Sequence, residues 1–443
     1  MPHFKLLFIA MSGVRVQNEA LMEVGLTLPG FVERSQVIAS LPSLSLLTLA
    51  AHTPEHWDIE YREIDTISIE EYYNLADEGF NIVAISSLTA RILDAYQLAD
   101  VLRLQGITVV IGGLHASVLP NEALCHADAV VQGEGERLWP ILLDDFENGR
   151  LKPLYSSFDR NFPSYHFGQA RIPRYDLLNI ANYNRLTLQT TRGCPLDCEF
   201  CGASRLISPY KIKPLEQVRR ELEAILSFWP KPFIELADDN TFANKKWARD
   251  LAELLGEYQI PWFTETDISV ADDDELLTLL AQSNCAQLLI GLESTALDSL
   301  YGVDKRNWKH SQLLSYQEKI SKIQSYGISV NGCFIIGFDA DNLGVFERTR
   351  DFILSSELSE VQITLLTPFP GTALHKRLKE QNRFLQPIYW DKCTLFDVTF
   401  QPQQMSVAEL ENGFRDLMAE IYSSDNSNLR KRRFRECVRN RHK

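Results

Sequence analysis

Long apolar runs are the first thing missing from this chain. No stretch of its 443 residues reaches the ~18–20 apolar residues that cross a bilayer, so no membrane-spanning helix is expected. The apolar start, Phe4 to Met11, is too short to span and lacks the small-residue cleavage pattern of a signal peptide. It reads as a first buried strand. A secreted-type disulfide framework is missing too. Of eight cysteines, three fall within eight residues, and Cys125, Cys285, Cys333, Cys393 and Cys437 are scattered. That pattern excludes a stapled extracellular module and points to metal. Excess positive charge is also absent. The formal net charge is −15, which argues against nucleic acid as a general partner. There is no short-period repeat and no low-complexity tract. The expectation is a cytoplasmic protein of two or three domains, at ~100–200 residues each.

Strand and helix signals alternate through residues 1–150. Short apolar runs at 4–10, 58–63, 81–86, 107–112 and 128–132 are separated by helix-period segments near 41–52, 69–78, 90–105 and 134–147. Such alternation predicts a doubly wound parallel sheet of Rossmann type. The first connection, about 11–40, is unusually long, and loops of that length are often functional. Residues 151–185 carry scattered Pro, Tyr and Phe without a period and read as an ordered linker. From 186 to 375 the alternation returns, with candidate strands at 186–189, 233–237, 262–265, 287–291, 329–335 and 361–366. Six βα units predict a partial, TIM-like (β/α)6 barrel, with its site at the C-terminal strand ends. Residues 376–443 read as a short helical extension. Ser406 and Glu409 form a capping-box signature for a helix to about 422. From Arg430 onward there are eight Lys/Arg and one Glu, a basic tail that is either a solvated helix or a segment docked on the acidic body.

Residues 190–201 read TTRGCPLDCEFC, so Cys194, Cys198 and Cys201 are spaced Cys-x3-Cys-x2-Cys. Thiolates are the usual iron–sulfur ligands. Three of them hold three irons of a 4Fe-4S cubane and leave the fourth open to a bidentate ligand. A structural zinc site would want a fourth Cys or His, and none lies nearby. Three uncoordinated core cysteines are the blander reading, which Gly193 and Pro195 beside the first cysteine oppose.

This segment resembles the radical S-adenosylmethionine (SAM) superfamily across about 186–372. The resemblance implies reductive cleavage of SAM at the cluster and a 5'-deoxyadenosyl radical. It also implies contacts from successive strand ends. Phe200 would pack near the adenine, or simply in the core. Asp238, Asp239 and Asn240 would accept bonds from the SAM amino group, or cap a helix. Glu265 follows the third strand. Gly291, Glu293 and Ser294 follow the fourth and would meet ribose or carboxylate, and Gly337 follows the fifth and would lie against adenine.

The preceding α/β domain is similar to that of the cobalamin-binding subclass, through Pro42–Leu47, Gly112–Ser117 and Gly133–Glu136. Gly13, Ser86, Ser87, Gly112, Gly113, Gly133 and Gly135 all follow strands, where small residues admit a bulky cofactor or serve as ordinary turn residues. His115 lies in the same region. The Asp-x-His-x-x-Gly pattern that supplies a histidine below cobalt is absent, and the loop 11–18 has no His. The subclass implies a cobalamin-dependent methyltransferase acting on an unactivated carbon of a small-molecule intermediate, with a flavodoxin- or ferredoxin-type electron donor. A radical cyclisation or rearrangement, and a non-catalytic cluster protein, are the rival readings.

Overall fold

The computed structural model describes residues 3–11, 41–64, 75 and 77–441. Gly13, most of the first long connection and most of the helix expected at 69–78 lie outside these.

The N-terminal sheet comprises β1 (Phe4–Met11), β2 (Trp57–Ile64), β3 (Ile82–Ser87), β4 (Thr108–Gly112), β5 (Ala129–Gln132) and β6 (Leu154–Ser156). Its order is β2-β1-β3-β4-β5-β6, and every pair is parallel. The alternation along β1 explains its burial on both faces. Leu7, Ile9 and Met11 enter one core, and Leu6, Phe8 and Ala10 enter the other. The order reverses direction between β1 and β3, the place where open α/β sheets bind ligands beyond the carboxyl ends of their strands. Strand β6 falls inside the stretch read as a linker. It is three residues long, too short to show a period.

A second six-stranded sheet follows: β7 (Leu186–Leu188), β10 (Ile234–Leu236), β11 (Trp262–Thr266), β12 (Cys285–Glu293), β13 (Ser329–Ile336) and β14 (Glu360–Leu365), with a separate two-stranded ribbon, β8 (Thr191–Arg192) and β9 (Lys211–Ile212), between β7 and β10. Each strand pairs in parallel with the next in chain order, from β7 at one edge to β14 at the other. This is the open, six-unit barrel. Ile234, Leu236, Leu288, Ile290, Val330 and Ile363 belong to its largest apolar core. Their alternate neighbours Glu235, Glu265, Leu289, Asn331 and Cys333 take the opposite face of the sheet.

The capping box forms as expected. Ser406 Oγ accepts from the Glu409 amide, and Glu409 accepts from Ser406 N, opening α1 (Val407–Ile421). A last helix, α2 (Ser424–Arg441), carries the basic tail. Arg430 is 2% exposed and donates to the Ile421 carbonyl, and Arg433 donates to the Leu354 and Ser356 carbonyls, so the tail is docked on the body. Among the described residues no helix is long and apolar enough to cross a membrane.

Candidate active site

The loop after β7 carries the three cysteines, and other side chains build it. Thr190 N and Thr191 N donate to Asp238 Oδ1 at 2.7 and 2.8 Å, and Thr241 Oγ1 donates to Asp238 Oδ2 at 3.0 Å. Asp238 is therefore a buried anchor of the cluster loop, not a cavity group as the sequence reading had it. Burial pushes its carboxyl up, and these donors only partly offset that. Gly193 takes φ +75°, and a Cβ there would sit 2.9 Å from the Ser208 carbonyl oxygen, so the turn needs glycine. Glu199 N donates to the Val303 carbonyl at 2.8 Å, which ties the loop to the segment after β12, and Arg205 donates to the Cys198 carbonyl at 2.7 Å, which closes the loop on itself.

Cys194, Cys198 and Cys201 line one cavity of about 220 Å³ with Phe200, Asp239, Asn240, Glu265, Gly291 and Glu293. Burial pushes all three thiols up, Cys198 to about 12. They stay protonated until metal displaces the protons. Among the described residues no three Cys, His, Asp or Glu side chains converge to hold a single ion. Three thiols spread around one cavity fit a cubane, whose irons sit at separate corners.

The strand ends supply polar groups around the thiols. Asn240 Nδ2 donates to Asp267 at 2.9 Å, and Asn240 Oδ1 accepts from Thr266 Oγ1 at 3.2 Å. Glu293 sits at φ +65° and pairs with Lys309 Nζ at 2.6 Å, and Lys309 also donates to the Gly291 carbonyl at 2.8 Å. A Cβ on Gly291 would lie 2.4 Å from Glu293 Oε1, so glycine admits the ion pair. Asp304 accepts the Trp308 and Lys309 amides and aims Lys309 inward. Glu265 is the exposed residue of β11 and faces the open cavity, although the packed barrel surrounds it on its other sides. Burial, and then the negative Glu235, Asp239, Asp238 and Glu293, push its carboxyl up to about 8.

Two expected residues, Ser294 and Gly337, are not among the residues lining this cavity. Ser294 Oγ is used by the Ala296 amide at 3.1 Å. Gly337, at φ +112°, has Leu410, Leu366 and Phe400 beside it. Among the cavity residues not expected from the sequence are Lys309 and Cys333, the two with ionisable or nucleophilic side chains beyond the strand-end carboxylates. A lone Lys in a loop and a Cys outside the motif give no sequence signal.

A second cavity, of about 250 Å³, opens at the C-terminal edge of the N-terminal sheet. Ser86, Gly112, Gly113, Gly133 and Gly135 line it, with walls from Leu44, Leu49, Val110, Val131 and Trp139. A Cβ on Gly135 would approach Leu49 to 3.1 Å, and Gly113 and Gly133 have positive φ. The small floor and mostly apolar walls, with a polar edge of Glu134, Glu136, Gln189 and Arg192, fit a bulky macrocycle with an apolar face and polar rim such as a corrinoid. Ser87 is buried away from it and donates to the Leu88 carbonyl at 2.9 Å. His115, expected among the cofactor groups, is 1% exposed and turned from the cavity. Its ring lies 3.3 Å from Thr89 Oγ1 and 3.2 Å from Glu122, with Trp390 edge-on at 5.4 Å. The barrel closes the far side of this cavity with Gln189, Arg192 and Ala237.

Comparison with known proteins agrees with both cavities. The B12 binding domain model matches residues 36–143, the Radical SAM superfamily model residues 188–353, and a domain of unknown function, DUF4070, residues 372–443. Bacteriochlorophyllide d C-12(1)-methyltransferase of Chlorobaculum tepidum is 28% identical, over 86% of this chain and 83% of its own length. The C-8(2)-methyltransferase of the same organism is 29% identical over 69% of each. The fold matches that of the radical SAM methyltransferase TsrM of Kitasatospora setae, solved with cobalamin and a [4Fe-4S] cluster bound. The TM-score is 0.69 at 13% identity, over 99% of this chain and 100% of that one. With both models matched in order, and with a cavity in each matched region, the chain carries a B12 binding domain followed by a radical SAM superfamily domain.

Proposed function

We propose that the chain is a cobalamin-dependent radical SAM methyltransferase acting on an unactivated carbon of a small-molecule biosynthetic intermediate. The observation that carries this is adjacency. Gln189 and Arg192 line the corrinoid cavity, and Cys194, two residues on, lines the cluster cavity. When bound, the cluster supplies the electron that cleaves SAM and the corrinoid carries the methyl group. Cys194, Cys198 and Cys201 would hold three irons of the cluster. Asp239 and Asn240 would accept from the SAM amino group, and Glu293, held by Lys309, would accept from sugar hydroxyls. Glu265, whose packed surroundings and negative neighbours favour its neutral form, would offer an O–H to an acceptor in the cavity when protonated. The similarity to two bacteriochlorophyllide methyltransferases supports methyl transfer over cyclisation. All eight cysteines are unpaired, which favours a reducing, cytoplasmic setting; reductive cleavage of SAM would need a low-potential donor, for which a flavodoxin- or ferredoxin-type protein is the candidate.

The test is an assay of SAM products with anaerobically prepared protein, cobalamin and a low-potential reductant. Methylation predicts both 5'-deoxyadenosine and S-adenosylhomocysteine. 5'-Deoxyadenosine alone would indicate cyclisation or rearrangement, and neither product would indicate a non-catalytic cluster protein.

A further inference from the structure

The ribbon between the two sheets consists of β8 (Thr191–Arg192) and β9 (Lys211–Ile212), antiparallel, with Arg192 directly opposite Lys211. Two cations facing each other across a ribbon repel. Here the N-terminal domain resolves the conflict. Glu134 Oε1 accepts from Arg192 Nη1 at 3.0 Å, both Glu134 oxygens accept from Lys211 Nζ at 2.7 and 2.6 Å, and Ser208 Oγ donates to Glu134 at 3.1 Å. Glu136 accepts from Arg192 Nη2 at 2.6 Å. Gln189 accepts the third side of the guanidinium, and the Phe167 ring lies 4.8 Å from it. Glu134 and Glu136 are 8% and 5% exposed. Two buried carboxylates and two cations thus close a neutral set that neither domain can complete alone. Removing one partner from such a set leaves a buried charge unpaired, unlike the loss of a surface ion pair.

The position of this set gives it a consequence. Glu134, Glu136, Gln189 and Arg192 are all part of the corrinoid cavity wall. Arg192 is also bonded, through the chain, to a rigid stretch. Thr190 and Thr191 before it are tied to Asp238, and Gly193 after it is packed under Ser208 and Pro209. A displacement at Arg192 therefore has little slack before it reaches Cys194. We infer that Arg192 is a positioning residue that locks the cluster-bearing loop to the corrinoid domain, so that corrinoid binding and cluster placement are coupled through Glu134 and Glu136. The coupling rests on the corrinoid reading of the cavity, and the positioning does not.

The test uses the full chain, anaerobically loaded with iron and sulfide, as Arg192→Ala, Arg192→Lys and Glu136→Gln. Iron content, hydroxocobalamin affinity by absorbance, and the electron paramagnetic resonance spectrum of the reduced cluster with SAM are read for each. Arg192→Ala is expected to keep its iron, lose at least tenfold in cobalamin affinity and shift the SAM-bound cluster spectrum. Arg192→Lys keeps the charge but loses the fork, and should fall between Ala and the parent. Arg192→Ala/Glu136→Gln should be no worse than Arg192→Ala, because both act on one contact. Should Arg192→Ala not fold, the Lys and Gln variants carry the same comparison. Parent-like affinity and an unshifted spectrum in these variants overturn the inference. A parent protein that binds no cobalamin instead overturns the cavity assignment and the coupling with it. Positioning then stands or falls on the cluster spectrum alone.

Discussion

At the scale of single residues, four cysteines border the cluster cavity and three are assigned to the cluster. The fourth, Cys333, sits on β13 between Gly291 of β12 and Gln362 of β14, with its thiol 3.9 Å from Gln362 Oε1. The charged groups that act on it are Glu265, Glu293 and Lys309, whereas Cys194 and Cys198 each feel Cys201. Cys333 therefore belongs to the strand wall of the cavity, whereas the motif thiols come from the loop after β7. Cys333→Ala should keep full iron content and SAM cleavage. Cys198→Ala should lose both, since each motif thiolate holds its own iron. Iron and sulfide analysis with a 5'-deoxyadenosine assay separates the two. Loss of iron in Cys333→Ala would mean that the fourth iron is capped by protein and closed to SAM.

At the scale of elements, Glu265 on β11 is level with Leu289, Asn331 and Glu360 across three parallel strands. That row lies deeper in the barrel than Gly291 and Glu293. Its carboxyl moves from an ordinary 4.5 to about 8 on folding, because burial and its negative neighbours favour the neutral form. The folded protein thus holds a proton that the unfolded chain releases between those values, and raising pH through that window lowers stability. Glu265→Gln removes this burden. Compared by urea midpoint at pH 6 and pH 9, the variant should gain on the parent as pH rises. A gap that does not change with pH would mean that the carboxyl is not held neutral.

The strands were largely legible in the sequence, because burial on one or both faces writes a period into contiguous residues. The expected strand at 287–291 proved to be Cys285–Glu293, and the other five barrel strands shifted by no more than two residues at either end. The cluster motif was legible for the same reason, since its ligands are close in the chain. Strand β6 and the β8–β9 ribbon were not, because two or three residues carry no period. Nor were the partners of Arg192 and Glu293, because Glu134 and Lys309 reach them from 58 and 16 residues away. Asp238 was named as a cofactor group because acidic residues at a strand end look the same whether they face a ligand or the preceding loop. Only the backbone donors of Thr190 and Thr191 decide it.

At the scale of the whole molecule, the C-terminal segment clasps both domains. Tyr389, Trp390 and Cys393 complete one core of the N-terminal sheet, and Tyr389 donates to the Pro368 carbonyl at the barrel rim. Phe414 and Leu417 of α1 belong to the barrel core. This clasp holds His115 in place, since Trp390 Nε1 donates to the same Glu122 that the histidine meets. Reaching the corrinoid cavity would require His115 to abandon Thr89 and Glu122 and to open the core around Trp390. Among the described residues no histidine lines that cavity, and residues 11–40 contain none. The cob(II)alamin form should therefore show no histidine nitrogen below cobalt. Protein grown with 15N-labelled histidine should give the same electron paramagnetic resonance pattern as unlabelled protein. His115→Ala should keep its cobalamin and spectrum while losing about 1–3 kcal/mol of stability, from the buried partners it strands. A label-sensitive splitting that disappears in His115→Ala would show that the clasp opens to deliver this side chain, and that the cavity is remade when the cofactor binds.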